Sequence, residues 1–540
     1  VYLSNRGKRE KWSDFLAVQP TEPNSTVLKC YYYTAQLAAG NKASAWSGAE
    51  KLWTVGHSQV KQCDPLFEAW MDAGQLNDGQ VWARMLAAFD ERQSSLMKYV
   101  ARSASDTLEP WTERLRQVYA NPKLLQSISL PAESDYSADI AQHGLVYLAR
   151  YSPDKALAAW IRLQAQLDFS AEQRADIEYA IALRTLFARD AAQVDWLHGA
   201  LGRLNNDKLT GIRLRWALAE EDWVALDATL PLLSEEQRGE GEWRYWLAQV
   251  YQHRGESEQA SALLQVLATE RSYYGFLAAD KLDQPYAFNL TALPEITDPD
   301  ISKLPVVRRI EELHYHDEYP LAHSEWYKLL RDTDERDMQQ QFARLAQDRG
   351  WYRMGIDAAT RSDSWDALDV RFPLAYKTVF DHHAGNQQVA ATELMAIARR
   401  ESAFFPWARS PVGARGLMQI MPATGKQVAA SINAPHRTAD LTNIEHNVLL
   451  GSTYYRQLLE RYDGNRIFAL TAYNAGPHRV DRWRNEVDEA MPVDLWVETI
   501  PFKETRNYVQ AVLAYNVVFR YRMGEDTLSM LTPLEKQASY

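Results

Sequence analysis

The chain runs to 540 residues, more than one hydrophobic core ordinarily holds, so two or more domains are expected. Its 46% hydrophobic and 24% charged residues are ordinary for a globular protein and exclude a low-complexity chain, and no apolar run approaches the ~20 residues that span a bilayer. The net charge of −12 is uneven: residues 371–540 hold 19 basic against 17 acidic side chains, so the acidity lies upstream. An acidic body argues against a nucleic-acid binder, while the arginine-rich C-terminal part could still meet an acidic ligand. The first residue is Val1 and no signal-peptide pattern is present, so the chain is expected to have been processed or trimmed.

Nearly everything reads as helix, with apolar residues at three- and four-residue spacing and no sustained period-two run. Cys30 and Cys63 are the two cysteines. They read either as buried free thiols or, in an oxidising compartment, as a disulfide worth about 3–4 kcal/mol. They form no CxxC pair, which argues against a metal or redox role. Up to about Tyr286 the chain looks like stacked helical hairpins. "YYYTAQLAAGNKASAWSGAEKLW" and "RYWLAQVYQHRGESEQASALLQVLA" share one plan: an aromatic-rich helix, a glycine (Gly40, Gly255), then a helix carrying small residues. "RLRWALAEEDWVALDATLPLL" is a degenerate copy, and the set is similar to tetratricopeptide-type repeats without a strict period. Pro294, Pro299 and Pro305 then mark a boundary. Helices resume near Arg308, and Pro373 marks the next break. From there to about Gly524 the sequence is still helical but denser in Gly and Asn.

In this last region stands "ARRESAFFPWARSPVGARGLMQIMP". A helix is expected to begin after Gly385 and Asn386. Ala390, Leu394, Ile397 and Glu401 then share one face, with Arg399 and Arg400 pointing away. An anion at a helix C-terminus is disfavoured. Phe404, Phe405 and Trp407 are expected to wall the carboxyl and raise its pKa, as a general acid needs. Gln419, between Met418 and Met421, reads either as core filling or as a group that hydrogen-bonds substrate. Tyr473 and Asn474 precede a Gly476-Pro477 break, and Glu498 is a second isolated glutamate before a proline. His436, His446 and His478 lack ligand spacing. No metal, nucleotide or serine-hydrolase motif is present, so neither a metal nor any other cofactor is expected.

"ESAFFPWARSPVGARGLMQIMPATG", "AYNAGPHRV" and "ETIPFKETRNYV", in this order, resemble the signature blocks of lytic transglycosylases with a goose-lysozyme-like catalytic domain. With "CYYYTAQ" and "SYYGFLAADKL" upstream, the whole chain resembles the large soluble lytic transglycosylases of the periplasm. The resemblance implies an all-α fold: a ring-like helical-repeat superhelix over residues 1–286, a helical linker over 287–370 and a lysozyme-like catalytic domain over 371–540. The family's ring begins with further helices upstream of the point where Val1 stands, so either those helices are missing from this chain or this member is shorter. The resemblance further implies that Glu401 is the catalytic acid and base. It implies that Ser410, Gln419, Met421, Tyr473, Asn474 and Glu498 line the glycan groove, and that Cys30 and Cys63 are joined. The implied substrate is peptidoglycan with its stem peptides, cleaved without water by a monomer that could meet other cell-wall enzymes. Two alternatives stand beside this: a muramidase using Glu401 and Glu498 as paired carboxylates, and a helical-repeat scaffold for cell-wall enzymes.

Overall fold

Ala, Leu, Glu, Gln and Arg fill the long amphipathic segments, and each prefers helix to strand. The computed structural model describes residues 2–296, 300–485, 491–538 and 540. Among these residues every regular element is a helix, and the only extended pairings are isolated bridges of Arg415 with Arg409 and Ile420. The fold is all-α, as expected. Among the described residues no helix is long and apolar enough to cross a membrane. The chain falls into two compact units, divided between Ile212 and Arg213.

The first unit is built of helical hairpins. Thr26–Ala38 and Lys42–Trp53 pack as a pair across Gly40, whose φ of +84° ends the first helix in a conformation that costs glycine nothing. Cys30 and Cys63 are both fully buried and disulfide-bonded. Trp53, Trp70 and Trp160 are the largest fully buried side chains described in this unit.

The second unit repeats the plan once more, with Gly241–His253 and Ser257–Ala268 joined through Gly255 at φ +76°. Pro305 opens the helix Pro305–Tyr315 at its first position, where the missing N–H is not needed. Pro299 lies outside the described residues. The helices from Pro305 to Arg361 close on a small core of their own around Ile310, Trp326 and Phe342.

Five helices surround the last signature blocks: Lys377–Gln387, Ala391–Ser402, Ile444–Arg461, Arg466–Ala475 and Lys503–Arg522. Ala391–Ser402 and Arg466–Ala475 both pack on the long helix Lys503–Arg522. Gly385 and Asn386 do not start a helix. They occupy the last turn of Lys377–Gln387, and the chain reverses at Gln388 with φ +53°. Arg466 fixes the start of its helix by donating from Nε and Nη2 to the fully buried Glu535, each at 2.7 Å, and from Nη1 to Glu393 at 3.2 Å. Removing one partner of such a pair strands a buried charge. Arg466→Met is expected to destabilise the second unit by about 3–5 kcal/mol, read as a fall in its denaturant midpoint. A change under about 1 kcal/mol, the value of a surface pair, would show that the pair anchors nothing.

Candidate active site

Glu401 is the penultimate residue of the helix Ala391–Ser402. Leu394 and Ile397 are fully buried below it, while Ala390 is an exposed cap residue and not part of the stripe. Directly after the helix, Ala403 and Phe404 both take positive φ, +49° and +63°. Two consecutive non-glycine residues in the left-handed region are uncommon and cost energy. They turn the chain so sharply that Ser402 can hold the returning segment, donating from Oγ to the Leu417 carbonyl at 2.7 Å.

Burial pushes the Glu401 carboxyl up to about 7. The Tyr508 hydroxyl, buried and without a well-formed hydrogen bond of its own, faces the carboxyl and pulls in the opposite direction, as does Arg400. The negative charge of Glu504 raises it further. The carboxyl is therefore poised to be protonated near neutral pH and to give its proton up without a large penalty.

Tyr473 and Tyr508 are electrostatically linked to Glu401, and the other residues expected to line the groove stand on the same helices and on the loop between Ser410 and Met421. Tyr473, in the last turn of Arg466–Ala475, donates to the Met418 carbonyl at 2.9 Å. Its ring lies parallel to that of Tyr508, 7° between planes with centroids 6.5 Å apart. Burial holds both phenols far above their usual range, so both stay neutral beside Glu401. Asn474 accepts from the Thr505 hydroxyl at 2.7 Å. Gln419, half-buried at φ +48°, gives its amide hydrogens to the carbonyls of Gly416 at 2.9 Å and Ala408 at 3.2 Å, which leaves its amide oxygen as the free end. Ser410 Oγ accepts the Ala414 N–H at 3.0 Å within the turn that starts this loop, and Met421, 39% exposed, ends it.

The loop from Arg415 to Met418 is fixed by the fully buried Asn447. Its oxygen accepts the Met418 N–H at 2.8 Å, and its amide donates to the carbonyls of Arg415 at 3.0 Å and Leu441 at 2.8 Å. The close approach explains Gly416, where a Cβ would lie 2.1 Å from the Leu441 carbonyl oxygen.

Two expectations are corrected. Glu498 does not line a groove. It is 1% exposed, accepts from Arg215 Nε at 2.8 Å, faces Arg506 Nε at 3.5 Å and takes the Tyr274 hydroxyl. Its short helix buries Val493, Leu495, Trp496 and Val497 and draws the carboxylate in with them. The second carboxylate acting on Glu401 is instead the exposed Glu504, four residues before Tyr508 on one helix face. Arg399 does not point to solvent. It is buried over Phe372 and Tyr515, with its guanidinium carbon 5.2 and 5.5 Å from the ring centroids, and donates to the Arg371 carbonyl at 2.6 Å. Of the aromatics after Glu401, Phe404 lies edge-on to Phe380 and Phe519, Phe405 stacks on His323 and Trp407 on Tyr319. Tyr508 is the ring that acts on the carboxyl, and the carboxyl in turn raises the Tyr473 phenol.

A carboxyl raised from 4.5 to about 7 on folding leaves stability intact below pH 4.5 and removes it as pH rises through 7. Glu401→Gln abolishes that loss. The variant is expected to be more stable than the parent at pH 8 by about 2–3 kcal/mol, and equal to it near pH 4. Denaturant melts at the two pH values measure this, and a pH-independent difference would refute the burial of a titrating carboxyl.

Three family models match the second unit. Residues 378–492 match the transglycosylase SLT domain, 300–368 the soluble lytic murein transglycosylase L domain, and 499–527 the soluble lytic transglycosylase helical domain. The soluble lytic murein transglycosylase of Escherichia coli K12 is 31% identical over 529 residues, 97% of this chain and 82% of that protein. Its counterpart in Salmonella typhimurium is 31% identical over 100% of this chain and 84% of its own length. The crystal structure of the 70-kDa soluble lytic transglycosylase from Escherichia coli aligns over 100% of this chain and 88% of its own, with TM-score 0.83 and 30% identity. That of an inactive variant of lytic transglycosylase Slt from Pseudomonas aeruginosa aligns over the same shares with TM-score 0.78 and 34% identity. At this identity over this length, the chain belongs to the soluble lytic murein transglycosylase family.

Proposed function

We propose that the chain is a peptidoglycan lytic transglycosylase that cleaves the β-1,4 bond from N-acetylmuramic acid to N-acetylglucosamine without water. The position of Glu401 carries the mechanism: a half-buried carboxyl, pushed by burial up to about 7, at a helix end beside the buried Tyr508 phenol. Protonated Glu401 donates to the glycosidic oxygen as the C1–O bond breaks and positive charge develops at C1. The resulting carboxylate takes the proton of the muramoyl 6-hydroxyl, whose oxygen closes on C1 to give a 1,6-anhydro ring. The nucleophile is already tethered to the sugar, so no second carboxylate has to activate water. Two-carboxylate hydrolysis with Glu498 lacks support, because that group is committed to arginine pairs in the core. Ser410, Gln419, Met421, Tyr473 and Asn474 are assigned to the glycan groove, and Arg400 and Glu504 tune the acid.

We assign residues 1–286 to the helical-repeat domain, 287–370 to the linker and 371–540 to the catalytic domain. The buried disulfide supports a periplasmic setting, since such bonds persist in oxidising compartments. The substrate is glycan with stem peptides, the enzyme acts as a monomer, and its repeats leave a docking role toward other cell-wall enzymes.

Digestion of purified sacculi followed by mass spectrometry is expected to release anhydro-muropeptides. Glu401→Gln should lower the rate by about 10²–10⁴-fold. Reducing ends in place of anhydro ends would identify a hydrolase, and no release at all a scaffold. Activity is expected to fall as pH rises through about 7, because the acid must begin protonated. Tyr508→Phe removes a group that lowers this pKa, so the alkaline limb of the pH–rate profile should move upward. A downward shift would contradict the assigned contact.

A further inference from the structure

Between the helices Asp135–Ala149 and Ala171–Ala188, at the end of Asp78–Asp90, the first unit holds a cleft of about 380 Å³. Arg92 enters it from a left-handed turn at φ +61°. Its guanidinium carbon rests 3.4 Å from the centre of the Tyr147 ring, which fixes its plane. One of its terminal nitrogens, Nη1, is buried and has no hydrogen-bond acceptor. Burial disfavours its charge, and Arg150 nearby disfavours it further. Arg150 and Arg184 also line the cleft, and among the described residues neither side chain makes an ion pair or a hydrogen bond.

The acids of the same cleft make no ion pair with these arginines among the described residues. Asp90 lies 2.7 Å from His143 Nδ1, and Asp176 accepts from the Gln142 amide at 2.9 Å. A buried N–H without an acceptor and two adjacent guanidiniums of like charge describe a site shaped for an anion. The cleft is wider than one ion requires, and Val146, Ala180 and Leu183 give it an apolar side. Guanidinium planes match carboxylates through paired hydrogen bonds. An apolar side beside them suits small methyl side chains.

We propose that this cleft binds a short peptide through its carboxylates, namely the stem peptide carried by the glycan. The identity of the peptide rests on the function proposed above, whereas the anion site rests on the cleft alone.

The test is calorimetric titration of the full chain carrying Glu401→Gln with free tetrapeptide (L-alanyl-γ-D-glutamyl-meso-diaminopimelyl-D-alanine). The same peptide with amidated carboxyls, and inorganic phosphate, are titrated in parallel. Tetrapeptide is expected to bind, with amidation weakening it about tenfold or more. Arg150→Gln and Arg184→Gln should each weaken it several-fold. Arg92→Gln also loses packing on Tyr147, so the exposed Arg150 carries the decision. Absence of binding, equal affinity in both the Arg150 and Arg184 variants, or displacement by phosphate at the peptide's own concentration would each overturn the proposal. Release of anhydro-muropeptides from sacculi by the unaltered chain is scored separately, so the enzymatic reading and the peptide site can fail independently.

Discussion

A carboxyl taken out of water at the carbonyl end of a helix is the constraint around which the second unit is arranged. Both burial and the helix dipole oppose its ionisation, and Glu504 adds like charge. Tyr508 and Arg400 offset them. The balance leaves a group that can exist in either protonation state near neutrality. An acid that must become a base within one turnover requires that balance, and neither a fully stabilised carboxylate nor a deeply buried acid would provide it.

Holding that carboxyl takes rigid support, and the support is polar more than apolar. Ser402 ties the returning segment to the helix end, Asn447 ties it to the next helix, and Tyr473 ties it to a third through the Met418 carbonyl. Behind these, Arg466 with Glu535 and Glu498 with its arginines fix the helices themselves. The buried glutamates outside the site, Glu178, Glu498 and Glu535, are each paired with arginine. Among the described residues Glu401 has no such ion pair, which is what separates a reactive carboxyl from a structural one.

Much of this was legible in the sequence. Glycine breaks at Gly40 and Gly255, the helical periodicity and the position of Glu401 at a helix end all arise from local chemistry. What failed were inferences from one stripe of a helix. The phase argument for Arg399 assumed a half-exposed helix, but Thr392 through Arg399 are almost all buried, so the opposite face meets Phe372 and Tyr515 instead of solvent. Glu498 and Glu504 are both isolated glutamates in one signature block. The apolar neighbours of Glu498 signalled burial, and the four-residue spacing of Glu504 and Tyr508 signalled a shared face toward the site. Asn447 carried no signal, since a buried amide that bonds three backbone groups reads in sequence like any helix asparagine.

That amide has a consequence for cold conditions. Apolar contacts lose strength as temperature falls, because their driving force near ambient temperature is entropic. The loop over Gly416 and Met418 is registered by three hydrogen bonds to one side chain, with Asn447 using its oxygen and both hydrogens. Its placement therefore does not fade on cooling in the way that a wall held by packing would. The geometry beside the acid can outlast a general loosening of the surrounding core.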